Sequence, residues 1–265
     1  MKYIAPPKTG PKVLIFDIET APIVGLVWGM HDQNLGVNQI IKRRSVLSFA
    51  AKWLGVDGVM FAGTGGQRDV RDDKAIMKKL WSLMDEADVI LGQNSNKFDE
   101  PIVRGRFAVH KLGNPSPYRR LDTCVMGRRL GLESSKLENM TEVFCPELKK
   151  SIHKSFPGMT LWTECLENNK KAWAEMEAYN CQDVLGTEGV YKAIAPYSKT
   201  INFDVYREGT VTTCNCGSTN LHNKGYVYTD NAKYRAYRCR DCHAYIKSKA
   251  NLLSKDKRKS LKKPA

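Results

Sequence analysis

Four consecutive apolar residues, Val13-Leu14-Ile15-Phe16, run directly into Asp17-Ile18-Glu19-Thr20. A short, partly β-branched apolar run behind a Pro/Gly segment predicts a buried strand. Side chains at i and i+2 of a strand point to one face, so Asp17 and Glu19 share it. Two carboxylates side by side at the end of a buried strand repel each other unless a cation lies between them. The alternative is an exposed strand end, where both would simply be solvated.

Two further acidic stretches follow. Asn94-Ser95-Asn96-Lys97-Phe98-Asp99 comes after Val89-Ile90-Leu91, which reads as a second buried strand, and a helix is expected over 100–112. By itself Asp99 is an ordinary helix N-cap. Tyr179-Asn180-Cys181-Gln182-Asp183 lies within a long helix expected over 170–194. Tyr179 and Asp183 stand four apart and share a helix face; by themselves they would be a half-buried phenol and a solvated acid. Together the stretches supply four carboxylates and one phenol. Bringing four acids together beside apolar elements costs roughly several kcal/mol without compensating cations. Such an oxygen-rich set suits Mg²⁺ or Mn²⁺. Two such ions roughly 3.5–4 Å apart can activate a water and stabilise the leaving oxygen of a displacement at phosphorus.

The remaining pattern frames these motifs. Strands are expected over 44–54 and 59–62, joined by Gly55-Val56-Asp57-Gly58. Asp72 is expected to cap a helix carrying Ile76, Leu80, Leu83 and Met84 at helical spacing. Residues 121–132 and 137–144 read as helical pieces, and 151–158 as a loop. Strands first, then strand–helix alternation, predict an α/β domain with a mixed sheet.

Near 197–205 the composition changes. Cys214-Asn215-Cys216-Gly217-Ser218 precedes Cys239-Arg240-Asp241-Cys242. Four thiolates in two close pairs suit a tetrahedral structural Zn²⁺. The first pair is Cys-x-Cys, one residue shorter than the usual knuckle, so His222 or His243 remains an alternative ligand. The intervening segment alternates apolar or aromatic residues with polar ones, as strands do, and the whole resembles a zinc ribbon. So short a segment builds little core, and zinc would supply folding energy. The other four cysteines, Cys124, Cys145, Cys165 and Cys181, are dispersed and read as buried hydrophobes.

Charge adds a partner. The 265-residue chain carries a net +14, of which residues 199–265, with 15 Lys/Arg against 5 Asp/Glu, hold +10. Such a balance favours a polyanion. Tyr226, Tyr228, Tyr234 and Tyr237 interleave with Lys224, Lys233, Arg235, Arg238 and Arg240. Stacking faces beside phosphate-binding cations suit single-stranded nucleic acid; the alternative is that the tyrosines only cover a small core. The basic stretch 249–265 reads as a disordered tail that adds salt-sensitive affinity. No apolar run approaches the roughly 20 residues of a membrane span, and a cytoplasmic protein without membrane association is expected.

The three acidic stretches, in this order, resemble the three motifs of the DEDD (DnaQ-like) 3′→5′ exonucleases, over about residues 12–197. The resemblance implies an RNase H-like mixed sheet with flanking helices over 1–198, followed by a zinc ribbon over 205–248. It implies that Asp17, Glu19, Asp99 and Asp183 hold two Mg²⁺ or Mn²⁺. One branch of the family carries His five residues before the last Asp, where this chain has Ala178. The other carries Tyr four residues before it, where this chain has Tyr179, so the chain is similar to the tyrosine (DEDDy) branch, in which the phenol orients the attacking water. Thr20, Asn94 and Phe98 match positions that hold the 3′-terminal nucleotide, although Phe98 could equally be a core residue. Asp122 reads as a helix cap, not a fifth ligand. The implied activity is two-metal hydrolysis from a 3′ end, single-stranded DNA first, in replication, repair or nucleotide recycling. An RNA-directed version and a non-catalytic nucleic-acid-binding protein on the same scaffold are the alternatives. Free-standing exonucleases with an appended ribbon look like those of bacteriophages, which implies host cytoplasm and a separate DNA polymerase or replication protein as a further partner.

Overall fold

The fold is described from a computed structural model covering residues 1–29, 31, 34–148, 155–198 and 201–262. The chain divides into two compact units, Met1–Pro7 with Lys12–Ala193, and Lys8–Pro11 with Ile194–Ala265.

The first unit is built on a five-stranded mixed sheet. Its strands are β1 (Val13–Ala21), β4 (Ser45–Trp53), β5 (Met60–Gly63), β6 (Val89–Gly92) and β7 (Arg119–Asp122), in the order β5-β4-β1-β6-β7. The β5–β4 and β4–β1 pairs are antiparallel, whereas β1–β6 and β6–β7 are parallel. Strand β1 is therefore central, as its apolar start requires. Between β1 and β4 the chain makes a small two-stranded arm, β2 (Val24–Gly25) and β3 (Ile40–Lys42).

Two faces of the sheet are covered differently. Leu14, Phe16, Ile18, Phe49, Ala51 and Trp53 pack in one cluster with Ile76, Met77, Leu80, Leu83 and Met84 of α1 (Lys74–Glu86). Val103 and Phe107 of α2 (Asp99–Val109) complete that core. Polar groups of β4 reach α6 (Lys170–Ile194) instead: Ser48 Oγ donates to Asn180 Oδ1 at 3.0 Å, and Lys52 Nζ lies 3.5 Å from Glu188 Oε2. Glu188 Oε1 also accepts from the Gly55 N–H at 2.8 Å, on the turn after β4. Near the start of α6, a Cβ at Gly63, the end of β5, or at Gly65 just after it would come within 2.8 or 2.7 Å of the Trp173 ring, so a larger residue at either position would have to displace that ring.

Most expected elements are present, with informative departures. Leu121 and Asp122 are not helical; they pair with Leu91 and Gly92 as the end of β7, and α3 (Thr123–Arg128) starts after them. A parallel edge strand this short has no periodicity by which to declare itself. Helix α4 (Leu137–Phe144) matches its expectation, whereas α5 (Thr160–Leu166) and the arm have no counterpart in the sequence reading. Of the expected loop, residues 155–158 form bends and turns, and 151–154 lie outside the described residues.

Asp73 occupies the N-cap position of α1 but makes no side-chain cap bond, whereas the carboxylate of Asp72, the expected cap, accepts the Lys74 N–H at 3.1 Å. Asp73 is buried and turned inward. It binds Arg106 Nε and Nη2, each at 2.7 Å, accepts the Val46 N–H at 2.8 Å, and lies 2.5 Å from His110 Nε2. Burial alone would raise its pKa, but the Arg106 hydrogen bonds, the Val46 N–H and His110 together hold it below the ordinary carboxylate range.

The second unit carries a three-stranded sheet, β8 (Leu221–Thr229), β9 (Ala232–Cys239) and β10 (Tyr245–Lys247), in the order β10-β9-β8. Within the stretch expected to be disordered, Lys255–Ser260 form a short helix, α7, whose cap Ser254 accepts the Lys257 N–H. Residues 263–265 lie outside the described residues.

Removing one partner of a buried ion pair strands the other. Arg106→Ala is expected to destabilise the fold by about 3 kcal/mol or more in denaturant unfolding. The double variant Asp73→Asn/Arg106→Leu is expected to recover part of that loss. A single variant as stable as wild type would mean that Asp73 does not depend on Arg106.

Candidate functional site

The site begins at an irregularity in the pairing of the central strand with β4, where Leu47 of β4 is left without a partner on β1. The β1–β4 register slips between Glu19 and Thr20, the mark of a β-bulge, which re-aims side chains. Just before it, Asp17 and Glu19 point to one face. Helix α6 brings Asp183 to them: Asp17, Glu19 and Asp183 each offer a carboxylate oxygen, and these atoms lie within 4.8 Å of one another. Asp183 is buried, whereas Asp17 and Glu19 are half-buried. The exposed-end and solvated-acid alternatives for these residues do not hold.

Asp99 stands outside that group of three but beside it. It is the first residue of α2, is 4% exposed, and its Oδ1 accepts the Ile18 N–H at 3.2 Å, so it is tied to the same strand. Burial pushes its pKa up to about 7, against the pull of the Ile18 N–H, and the charges of Asp122 and Asp183 push the same way. Tyr179 lies one turn before Asp183 and hydrogen-bonds to it. Burial, then the charges of Asp183, Glu19 and Asp17, drive the phenol's pKa far up, so at neutral pH it is a proton donor.

Two residues at the site escaped the sequence reading. The fully buried Asn180 donates from Nδ2 to Asp17 Oδ2 at 2.6 Å and to the Asp17 carbonyl at 3.3 Å, while its Oδ1 takes the Ser48 hydroxyl. Trp162 of α5 donates from Nε1 to Glu19 Oε2 at 3.0 Å, and its ring meets Tyr179 edge-on at 6.1 Å. Asn180 left a faint signal, an amide on the buried stripe of a helix. Trp162 left none, being 143 positions from Glu19.

Asp122 acts as a cap, as expected. It accepts the N–H groups of Cys124 and Val125 at the start of α3, and also those of Asn94 and Asn96, which pins the second acidic stretch. That turn folds back so tightly that a Cβ on Gly92 would sit 2.5 Å from Ser95. Asn94 takes a positive φ of 58°, and its carbonyl accepts from the Lys97 and Phe98 N–H groups. Phe98 is 42% exposed, with the Arg44 guanidinium 6.0 Å from its ring centroid, so it is no core residue. Thr20 follows the bulge and pairs with Val46.

In the second unit the sulfurs of Cys214, Cys216, Cys239 and Cys242 all lie within 4.8 Å of one another. Cys214–Cys242 is 3.5 Å and Cys216–Cys239 is 3.7 Å. A tetrahedron with Zn–S bonds of about 2.3 Å has S···S edges of about 3.8 Å, whereas a disulfide would need about 2.05 Å. The cluster therefore fits a zinc ribbon. Burial opposes ionisation of Cys239, but the N–H groups of Cys242 and Asp241 outweigh it and bring the thiol down to about 7, near the ionised form that a metal needs. His222 faces Arg240 at 3.4 Å, and neither His222 nor His243 belongs to the group. Of the dispersed cysteines, Cys124, Cys145 and Cys165 are buried as expected, and Cys181 is half-buried.

A mixed α/β sheet that presents clustered carboxylates on its central strand and a facing helix is the framework of a metal-dependent nuclease. Residues 58–195 match the family model of the RNase H superfamily, and the chain belongs to that superfamily. No curated protein matches it. Among solved structures it is similar to the family B DNA polymerase from the hyperthermophilic archaeon Pyrobaculum calidifontis, with a TM-score of 0.51 and 19% identity over 74% of this chain. That match takes in 26% of the polymerase, so the likeness speaks to the fold alone. RNase H-like nucleases use divalent metals and bind nucleic acid, and the acidic group and the four cysteines both suit cations. Among the described residues no helix is long and apolar enough to cross a membrane.

Two outcomes follow from the charges. Asp99 has a folded pKa near 7 against 3.8 ordinarily, so the metal-free native state binds more protons and loses stability as pH rises between about 4 and 7. Asp99→Asn is therefore expected to raise the melting temperature of metal-free protein by several degrees at pH 8 and hardly at all near pH 4. An equal shift at both values would mean that ionisation is not the cause. Elemental analysis should also find about one zinc per chain, lost from a Cys239→Ser/Cys242→Ser variant. Stoichiometric zinc in that variant would exclude the cysteine site.

Proposed function

We propose that this chain is a 3′→5′ exonuclease of the DEDDy type, acting first on single-stranded DNA. The observation that carries the reading is the gathering of Asp17, Glu19 and Asp183, with Tyr179 hydrogen-bonded to Asp183 from the same face of α6. Bound there, two Mg²⁺ or Mn²⁺ would supply a Lewis acid for the phosphate and an activated water. Asp17, Glu19 and Asp183 would hold the ions, and Asp99, once ionised, would complete the set. Asn180 and Trp162 fix the Asp17 and Glu19 carboxylates, and ligands oriented by such partners bind metal better. The protonated Tyr179 can donate to one oxygen while it orients the attacking water. Thr20, Asn94 and Phe98 receive the terminal nucleotide, the exposed Phe98 ring offering a face to a base or sugar.

The proposed division is a catalytic domain over 1–198, a ribbon over 205–248 and a basic tail over 249–265. Across β8 and β9, Tyr226 pairs with Arg235 and Tyr228 with Lys233, so one face of the ribbon carries both tyrosines and both cations. Lys233 Nζ lies 3.8 Å from the Tyr226 centroid. Aromatic faces edged with cations suit an unpaired strand. A phage-type setting, a cytoplasmic location and a polymerase or replication partner accord with the resemblance of the motifs. An exoribonuclease on the same site is the second reading. A non-catalytic scaffold is disfavoured, since all four acids and Tyr179 are present.

Purified protein with Mg²⁺ is expected to shorten 5′-labelled oligonucleotides from the 3′ end, faster for DNA than for matched RNA. Asp17→Ala should abolish the activity, and Tyr179→Phe should lower the rate by about 10²–10⁴ without abolishing metal binding. Activity that survives Asp17→Ala, or products from internal cuts on 3′-phosphate-blocked strands, would overturn the reading.

A further inference from the structure

The arm between β1 and β4 has no role in the site as described, and its surface is unusual. Ile23, Val24, Leu26, Val27, Trp28, Val37 and Ile41 are all exposed, and Trp28 is 100% exposed. Apolar patches of this kind on a folded chain mark binding surfaces. The arm is also built, not frayed. Val24 pairs with Lys42 and Gly25 with Ile40, the Leu26 N–H donates to the Gln39 carbonyl at 2.9 Å, and Gln39 Nε2 returns a bond to the Leu26 carbonyl. Both of its ends are held by one side chain: Arg71 Nη1 donates to the carbonyls of Pro22 at 3.1 Å and Arg43 at 3.2 Å.

Its root identifies the occupant. The arm leaves β1 at Pro22, three residues after Glu19, and returns through Lys42-Arg43-Arg44, so that residues 22–44 carry three Lys/Arg against one acid, Asp32. Arg44 faces the exposed ring of Phe98, the neighbour of Asp99. Cations gathered at the arm's root beside the exposed Phe98 ring, with an exposed indole further out on the same arm, match an unpaired polynucleotide strand, whose phosphates meet the cations and whose bases meet the rings. Base pairing would hide those faces. The six residue-to-residue steps from Pro22 to Trp28 reach at most about 20 Å, which at about 3.4 Å per stacked nucleotide is roughly six nucleotides.

We propose that the β2–β3 arm is a second contact for single-stranded substrate, in which Trp28 stacks on a base several nucleotides upstream of the 3′ end. The inference deepens the exonuclease reading and rests on it for the placement of that end.

Binding is measured in metal-free buffer, where nothing is cut, by the anisotropy of labelled oligodeoxythymidylates at about 200 mM salt to suppress phosphate-only contacts. Trp28→Ala is expected to weaken binding of a strand of about 12 nucleotides by roughly 5- to 100-fold, the loss of one stacked base. Strands of about 3 nucleotides, which end before the upstream base assigned to Trp28, should bind as to wild type, and Trp28→Phe should restore part of the loss. Unchanged affinity for the long strand would overturn the proposal. So would an equal loss on short and long strands, which would mean damage to the site. A dimer in sedimentation that Trp28→Ala dissolves would make the arm a contact between copies instead. Should the length-dependent loss appear in a protein that cleaves nothing, the exonuclease reading fails while the arm's contact stands.

Discussion

Repulsion among carboxylates is the constraint around which the first unit is arranged. Asp17, Glu19 and Asp183 share a space of less than 5 Å across, with the buried Asp99 beside them. Neutral donors hold them there: the Asn180 amide on Asp17, the Trp162 indole on Glu19, the Tyr179 phenol on Asp183 and the Ile18 N–H on Asp99. A neutral donor orients a carboxylate without cancelling its charge. The cluster therefore keeps its field for cations that arrive later, and metal-free protein bears the cost; at Asp99 burial first, and the charges of Asp122 and Asp183 after it, hold the proton far above the usual range.

The same unit handles Asp73 in the opposite way. That carboxylate is at least as deeply buried, yet Arg106, the Val46 N–H and His110 drive its pKa down. One fold thus contains a buried acid satisfied by a permanent cation and a group of acids given only neutral support. The first joins α1 to α2 and the start of β4. The second adjoins the register slip that follows Glu19 and, through Asp99, the neighbouring Phe98.

Helix α6 makes this arrangement possible. Trp173 settles over Gly63 and Gly65 near its start, Asn180 takes Ser48 and Asp17 in its middle, and Glu188 takes Lys52 and the Gly55 N–H further on. Contacts along the helix fix its rotation, and with it the direction in which Tyr179 and Asp183 point. Ion pairs such as Lys52–Glu188 contribute little net stability when buried, but they tolerate few alternative registers.

The sequence carried the local chemistry. Apolar runs ending in acids, a phenol four residues before an aspartate, and two tight cysteine pairs were legible because strand and helix periods and ligand spacing are written in nearest neighbours. The four cysteine sulfurs meet at zinc-like distances although their first pair is one residue short, because the backbone bends at Gly217, at φ 92°. Only the tertiary structure could show that Asp183 joins Asp17 and Glu19 while Asp99 stays one step aside, or that Asn180 and Trp162 hold the cluster. Those contacts join residues up to 163 positions apart, and their energies come from burial and hydrogen-bond geometry that no local pattern encodes. The arm and β7 escaped for a related reason: strands of two to four residues are defined by their partners, not by their own sequence.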